Sequence, residues 1–133
     1  HPECKLKIKD DRMIERSYGK LEGMSHKAFI EKYGEDKYNI IHRSYKTKPP
    51  NGESIKMVEK RVKSFIKVLL KFIRKNKVNV AISAHGNSMR PFRRYFEKLS
   101  VKDMIKLENP WDDYFEYKIK LFAARLSHYY LKY

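Results

Sequence analysis

Cysteine is nearly absent from this sequence: Cys4 stands alone among 133 residues. A single cysteine excludes an internal disulfide, and a reducing cytosol is the expected compartment. Long apolar stretches are missing too, since no run approaches the roughly 20 residues that a membrane-spanning helix needs. The first residues also lack the pattern of a signal peptide. We therefore predict a cytoplasmic protein without a membrane partner.

The sequence has no internal repeat and no low-complexity linker, which predicts one domain over residues 1–133. Its content of 41% hydrophobic and 35% charged residues is typical of a globular chain rather than a disordered one. An initial methionine is lacking, and the chain begins with His1 and Pro2. We expect that a segment upstream was removed or never recorded.

Acidic residues are few: 16 Asp and Glu stand against 31 Lys and Arg, which gives a net charge of +15. Such a surface attracts anions, whether nucleic acid, acidic membrane or phosphorylated metabolites. A solvated, lysine-rich surface with no specific partner explains the charge equally well. Zinc-ligand spacing, an RNA-recognition signature and a basic zipper are all absent, which argues against a nucleic-acid partner.

Apolar residues at three- and four-residue spacing predict several helices. The strongest pattern is in the middle of the chain, where lysines cover the face opposite the apolar one. The predicted helices cover residues 25–33, residues 55–73, residues 85–99 approximately, a short segment after the capping box at 100–103, and residues 122–133.

Three segments have the pattern of strands: residues 5–9, 78–84 and 115–121. The second of these is apolar throughout, which is typical of a strand covered on both faces. A loop is predicted at residues 46–54, which contain two prolines, an asparagine and a glycine in succession. Because strands alternate with helices, we expect an α/β layered domain.

The strongest chemical signal follows the second predicted strand, where His85, Gly86, Asn87 and Ser88 open a helix. In open α/β sheets, ligands bind at the carboxyl ends of strands. Gly86 allows a ligand to approach the backbone, and free N–H groups at a helix start favour phosphate. His85 can donate hydrogen bonds to phosphate oxygens. The segment therefore predicts a phosphate site, although a turn with a surface histidine has the same sequence pattern.

Two other segments carry groups suited to the same chemistry. Residues 15–19 include Glu15, which can move protons, Arg16, which can bind a phosphate or carboxylate, and Tyr18, which offers a hydroxyl. Residues 42–45 begin with a basic pair. Taken alone, each segment is also compatible with a solvated surface.

Together these segments resemble the phosphoglycerate mutases of the histidine phosphatase superfamily, in order and in spacing. Residues 15–23 (ERSYGKLEG) match the family's E-R-x-Y-G-x-L-x-G motif, and residues 84–90 (AHGNSMR) match its second-histidine motif. Further matches lie at residues 32–34, 43–45, 49–50, 52–54, 109–110 and 117. The resemblance extends to about residue 122, and it implies a three-layer α-β-α sandwich that is truncated at its N-terminus.

The resemblance also implies a role for individual residues. Glu15 would donate and accept the proton of the substrate hydroxyl, and His85 would stabilise the transferring phosphoryl group. The positions implied to bind substrate are Arg16, Ser17, Tyr18, His26, His42, Arg43, Gly86 and Asn87. The implied reaction interconverts 3-phosphoglycerate and 2-phosphoglycerate, as in glycolysis and gluconeogenesis, through a phosphohistidine and a bisphosphoglycerate intermediate. It uses 2,3-bisphosphoglycerate as phosphoryl primer and no metal.

The sequence departs from the family pattern in several places. The R-H-G motif with the phosphorylated histidine is absent, together with the strand and helix around it, so this chain alone is expected to be inactive. His26 stands where the family usually has a substrate-binding lysine, with Lys27 beside it, and His42 replaces the first of an arginine pair. The loop between Pro50 and Gly52 is also far shorter than in many mutases.

These departures leave two alternatives open. One is a phosphomonoesterase of the same superfamily, in which water accepts the phosphoryl group. The other is a non-catalytic basic binding module, which would account for the net charge of +15. The expected partners are a small phosphorylated substrate and either a second copy of the chain or a separate N-terminal segment.

Overall fold

The computed structural model describes residues 4–110 and 112–121. Five α-helices lie in this part of the chain: α1 (His26–Tyr33), α2 (Glu35–Arg43), α3 (Ile55–Asn76), α4 (Gly86–Glu97) and α5 (Val101–Lys106). Two single-turn 3₁₀ helices precede them, at Asp11–Met13 and Gly19–Leu21. Within the same residues, no helix is both long enough and apolar enough to span a bilayer.

Serine side chains define the starts of three helices. The hydroxyls of Ser25, Ser54 and Ser100 each accept a hydrogen bond from a backbone N–H of the first turn, at 3.1, 3.2 and 3.1 Å. Such a cap satisfies a donor that the helix itself leaves free. The predicted helices that begin near residues 25, 55, 85 and 100 are confirmed as α1, α3, α4 and α5. The helix predicted at 122–133 lies outside the described residues.

Helix α2 was not predicted, because the glycine before it was interpreted only as a stop. Gly34 ends α1 and also immediately precedes α2, with a φ of 85° that favours glycine. Glu35 and Asp36 then occupy the first turn of α2, and His42 and Arg43 its last turn. This order of charges suits the helix dipole.

The hydrophobic core lies between α3 and α4. Val58, Val62 and Ile66 of α3 are fully buried, and they form one cluster with Phe92 and Phe96 of α4. The three α3 residues follow the four-residue spacing that predicted the helix. Truncating one of them to alanine would cost about 2–4 kcal/mol, because the cavity left behind adds to the lost burial.

One carboxylate lies inside this core: Glu59 of α3 is 2% exposed. It accepts hydrogen bonds from Tyr45 and Arg94 and pairs with the ammonium of Lys63 at 2.7 Å. Burial alone would raise the pKa of Glu59, but these partners hold it below its ordinary value. The buried carboxylate thereby joins the loop before α3 to α4.

Residues 4–110 and 112–121 contain no strand, although three were predicted. Ile82 and Ala84 pack against the core, whereas Val78 and Val80 are 41% and 40% exposed. The expectation that residues 78–84 are covered on both faces is therefore wrong for the described structure. An alternating or apolar sequence pattern indicates which side chains are buried. A β-strand, however, forms only when its backbone makes hydrogen bonds to a neighbouring strand. The α-β-α sandwich stays a prediction, as does the single domain over residues 1–133.

Candidate active site

A cavity of about 580 Å³ opens between residues 14–24, α1, α2 and the N-terminus of α4. Seven of the ten predicted site residues line it. They are Glu15, Arg16, Ser17, Tyr18, His26, His42 and His85. The structure thus brings together three segments that are far apart in the sequence.

The first end of this cavity, which we call the carboxylate end, is lined by Glu15 and His85. Gly86 and Asn87 follow His85 at the start of α4 and do not line the cavity themselves. Glu15 Oε2 accepts a hydrogen bond from the backbone N–H of Asn87 at 3.4 Å, across 72 residues of chain. Glu15 Oε1 accepts a second one from the N–H of Arg16 at 2.6 Å. Asn87 lies in the first turn of α4, where the helix dipole favours negative charge.

The start of α4 is held in place by hydrogen bonds from both sides. The Ser88 hydroxyl is buried and lies 2.8 Å from the Met13 carbonyl oxygen and 2.9 Å from that of His85. Asn109 Nδ2 donates to the Gly86 carbonyl at 3.2 Å. A Cβ on Gly86 would meet only Asn109, at 3.9 Å, so packing among the described residues does not require glycine there. Access for a ligand stays the predicted reason for that glycine.

Arg61 of α3 supports the carboxylate end, although it was not predicted as a site residue. Its guanidinium pairs with both carboxylate oxygens of Glu53, at 2.9 and 3.0 Å. It also donates to three backbone carbonyls of the segment that carries Glu15, namely those of Arg12, Ile14 and Glu15, at 2.8, 3.0 and 3.1 Å. The available signal was its position, since Arg61 interrupts the apolar face of α3 between Val58 and Phe65.

Arg16 is buried, with 2% of its surface exposed. Its Nε donates to the Glu53 carbonyl at 2.7 Å, and its Nη2 donates to the Ile41 carbonyl at 3.0 Å. Nη1 is buried and has no hydrogen-bond partner among the described residues. Burial lowers the pKa of the Arg16 guanidinium from its ordinary value, against the opposing effect of nearby Tyr18. Arg16 therefore joins its own segment to the loop before α3 and to the last turn of α2. It retains one donor that an oxyanion could satisfy.

The second end of the cavity, which we call the imidazole end, consists of Tyr18, His26, Tyr38 and His42. The Tyr18 hydroxyl lies 3.4 Å from His42 Nδ1, and the rings of Tyr38 and His42 are 4.1 Å apart. Burial, followed by the positive charges of His26, Arg16 and Arg43, lowers the pKa of His42 to about 4. Tyr38 was not predicted as a site residue, because the helix that places it four residues before His42 was not predicted.

Within the motif at residues 15–23, both the backbone conformation and the packing require glycine at position 19. Its φ is 55°, and a Cβ there would overlap the carbonyl oxygen of Pro50. The backbone N–H of the next residue, Lys20, donates to that same oxygen at 3.0 Å. Ser17 lies nearby, and its hydroxyl donates to Glu22 Oε1 at 2.7 Å. The glycine thus allows the cavity loop to lie directly against the proline loop.

Arg43 does not line the cavity. Its Nη1 lies 3.4 Å from the Ile105 carbonyl and 4.0 Å from the carboxylate of Glu108, on an exposed surface. The contact of Arg43 with substrate stays a prediction, and the guanidinium lies outside the cavity of the described residues. Within residues 4–110 and 112–121, no three acidic, histidine or cysteine side chains are arranged to hold a metal ion.

Comparison with known proteins agrees with the motifs. The profile of the histidine phosphatase superfamily (branch 1) matches residues 5–118. The 2,3-bisphosphoglycerate-dependent phosphoglycerate mutase of Chlamydia abortus is 41% identical over 96 residues, which cover 72% of this chain and 42% of the relative. The protein of the same name from Methanococcus vannielii is 42% identical over 97 residues, with coverage of 72% and 41%.

The 2,3-bisphosphoglycerate-dependent phosphoglycerate mutase 1 of Arabidopsis thaliana is 36% identical over 97 residues, which cover 73% of this chain and 29% of the relative. The chain therefore spans less than half the length of these curated relatives. Since the superfamily profile covers most of its residues, this chain belongs to the histidine phosphatase superfamily, and 2,3-bisphosphoglycerate-dependent phosphoglycerate mutases are among its relatives.

Proposed function

We propose that this chain is the proton-transfer and phosphoryl-binding part of a 2,3-bisphosphoglycerate-dependent phosphoglycerate mutase. One observation carries the proposal: Glu15 meets the N–H of Asn87 at 3.4 Å, and His85 lies on the wall of the same cavity. A carboxylate that moves protons and a histidine at a helix N-terminus are then within reach of one small substrate. The names of the relatives support the same activity.

Glu15 is the group suited to proton transfer. A mutase must deprotonate the hydroxyl that accepts the phosphoryl group and protonate the oxygen that leaves, and one carboxyl group can alternate between these tasks. The hydrogen bonds from Arg16 and Asn87 hold the Glu15 carboxylate in one orientation. Proton transfer benefits from such positioning, because the carboxyl group then reaches the substrate oxygen without rearrangement.

His85, the N-terminus of α4 and Arg16 Nη1 are the groups suited to bind phosphoryl oxygens. Nη1 is a buried donor with no partner among the described residues, and the free N–H groups of a helix start favour anions. These residues fit a phosphorylated ligand, including 2,3-bisphosphoglycerate. When bound, that primer supplies the phosphoryl group for the cycle. As an imidazolium, His85 would oppose the charge that develops on the transferring group.

We further propose that the nucleophilic histidine belongs to a segment outside these 133 residues. None of His1, His26, His42, His85 and His128 lies in an Arg-His-Gly sequence. The same segment would supply strands that pair with residues 5–9 and 78–84, which would complete the predicted α-β-α sandwich.

The test compares the chain alone with the chain joined to the additional N-terminal length of a curated relative. Conversion of 3-phosphoglycerate is followed through coupled enolase, with 2,3-bisphosphoglycerate as primer. We expect turnover only from the joined protein. Robust turnover by the 133 residues alone would contradict the proposal that the nucleophile lies elsewhere.

A phosphomonoesterase is the second candidate, and the lining of the cavity favours it. Around the imidazole end the wall includes Leu21, Met24 and Phe29, and position 26 is histidine instead of lysine. An apolar wall suits a phosphate ester with a larger organic group. Release of inorganic phosphate from p-nitrophenyl phosphate at a rate above the mutase rate would establish this candidate over the first.

A further inference from the structure

The four rings of the imidazole end form one cluster of mutual contacts, some tilted and some edge-on. His42 contacts the other three, with centroid distances of 4.1 Å to Tyr38, 5.1 Å to Tyr18 and 5.2 Å to His26. His26 also lies 5.2 Å from Tyr38. The cavity loop, α1 and α2 each contribute rings to the cluster. Two imidazoles from different helices thus share one wall of the proposed substrate cavity.

The charged groups that act on His42 are all basic. They come from Arg16 on the cavity loop, His26 on α1 and Arg43 on its own helix. The two cavity carboxylates are engaged elsewhere: Glu15 accepts from backbone N–H groups, and Glu22 accepts from Ser17. In the described part of the chain, no carboxylate forms an ion pair with either imidazole.

This environment keeps His42 neutral in the absence of an anion. Its pKa is lowered to about 4, first by burial and then by the neighbouring positive charges. The Tyr18 hydroxyl lies 3.4 Å from Nδ1 of His42. A neutral imidazole accepts at one nitrogen, whereas an imidazolium donates at both. Protonated His42 donates at Nδ1, so the Tyr18 hydroxyl would accept there and could donate its own proton to another oxygen.

We propose that His26 and His42 form a proton-linked anion subsite, in which the imidazole pair takes up a proton when a phosphate or carboxylate group of the substrate binds beside it. The proposal rests on the proposed function, because it assigns a ligand to the same cavity. A fixed anion would reverse the electrostatic environment of His42 and favour its charged form. The protonated pair would then present an N–H donor from each imidazole, together with the positive charge that the added proton brings.

The linkage between proton uptake and anion binding sets the direction in which affinity changes with pH. The anion raises the pKa of His42 above its value in the free protein, so affinity increases as the pH falls toward that free value. For uptake of one proton, the gain approaches about tenfold per pH unit between the free and bound pKa values. Above the bound pKa the affinity is constant, because neither state then holds the proton.

Sulfate is a suitable probe, since it stays fully ionised at mildly acidic and neutral pH. We expect its affinity for the protein to rise about tenfold or more from about pH 8 to about pH 5, at constant ionic strength. Calorimetry in two buffers with different heats of ionisation should show proton uptake on binding. NMR titration of the imidazole C–H resonances should show the pKa of His42 rising when sulfate is present.

Variants of His42 test whether the imidazole end causes the pH dependence of sulfate binding. His42→Arg should keep sulfate binding and remove most of its pH dependence, because the guanidinium stays charged. His42→Gln should weaken binding at low pH only. Lys71→Gln removes one charge from the exposed face of α3 and should leave the pH dependence as in the unchanged protein.

Three results would overturn the subsite: no sulfate binding at any pH, affinity that does not change with pH, or a His42 pKa in the unchanged protein that sulfate does not move. The last measurement needs no variant and so does not depend on whether a variant folds. If sulfate is bound with proton uptake but the joined protein has no mutase activity, the proposed function fails and the subsite stands.

Discussion

The two ends of the cavity are built by different interactions. At the carboxylate end, Glu15 is held by backbone N–H groups, and its segment is held by Arg61 of α3. At the imidazole end, rings on the cavity loop, α1 and α2 contact one another, and the polar contact between Tyr18 and His42 is long at 3.4 Å. The first end is anchored to the longest helix, and the second to two short helices joined at Gly34.

This difference matches the tasks proposed for the two ends. Proton transfer needs an atom in a fixed place, and hydrogen bonds to the backbone fix position better than ring contacts do. Binding of an anion tolerates small displacements but depends strongly on charge. A titratable pair at the second end can therefore adjust affinity while the position of the carboxylate at the first end stays unchanged.

The largest expected effect concerns the carboxylate end. In a protein completed with the relatives' additional segment, Glu15→Gln should lower turnover by about 10²–10⁴-fold with little change in KM, because it removes the titrating proton and preserves shape. Steady-state kinetics measures both constants. Glu22→Gln is the matched control on the same cavity and should change turnover little. Near-full turnover by Glu15→Gln would mean that Glu15 is not the proton-transfer group and that the site must be reassigned around His85.

Arg61→Lys tests whether α3 positions the carboxylate end alone. An ammonium cannot reach Glu53 and three carbonyls at once, so the free energy of unfolding should fall by about 1–3 kcal/mol. Turnover should fall about tenfold because the segment of Glu15 moves. Sulfate affinity at the imidazole end should be unchanged, and Arg74→Lys on the exposed face of α3 should change neither quantity. Equal losses at both ends would show that the two are not independent.

A smaller expected effect concerns the pH dependence of stability, and its direction follows from the pKa of Glu53. Burial would raise the pKa of Glu53, but Arg61 and the Ser17 N–H hold it below its ordinary value. Glu53 therefore stabilises the fold above the unfolded pKa of about 4.3, and this contribution is lost as the pH falls through the folded pKa. In denaturant titrations between about pH 6 and about pH 3, Glu53→Gln should flatten the decline in stability. Glu108→Gln, at an exposed carboxylate, should leave the decline unaltered.

The smallest expected effect belongs to Arg43, which lies outside both ends. Arg43→Ala should change the free energy of unfolding by less than about 0.5 kcal/mol, because its contacts are exposed. KM of the completed protein should stay within about twofold, since the guanidinium does not line the cavity. A tenfold or larger rise in KM would restore the family-based expectation that Arg43 binds substrate, and would mean that the end of α2 turns toward the cavity.

Much of the site was predictable because its motifs are local. The segment around Glu15 and the segment around His85 each have a chemical meaning that does not depend on the rest of the chain. The helices α1, α3, α4 and α5 were predictable too, since capping serines and apolar spacing act within one or two turns. The roles of these residues remain proposals, because proximity alone does not demonstrate chemistry.

What the sequence could not reveal depends on contacts between distant segments. Arg61 and Tyr38 have ordinary surface-type side chains, and only the packing of α3 and α2 against the cavity loop brings them to the site. The placement of Arg43 outside the cavity was likewise hidden, because the direction in which a helix end points is set by its neighbours. The superfamily of the chain and its local helices followed from residues that act over a few positions, whereas the two ends of the cavity were decided by tertiary structure. Hydrogen bonds such as that from Asn87 to Glu15 join residues 72 positions apart, and no local pattern encodes them.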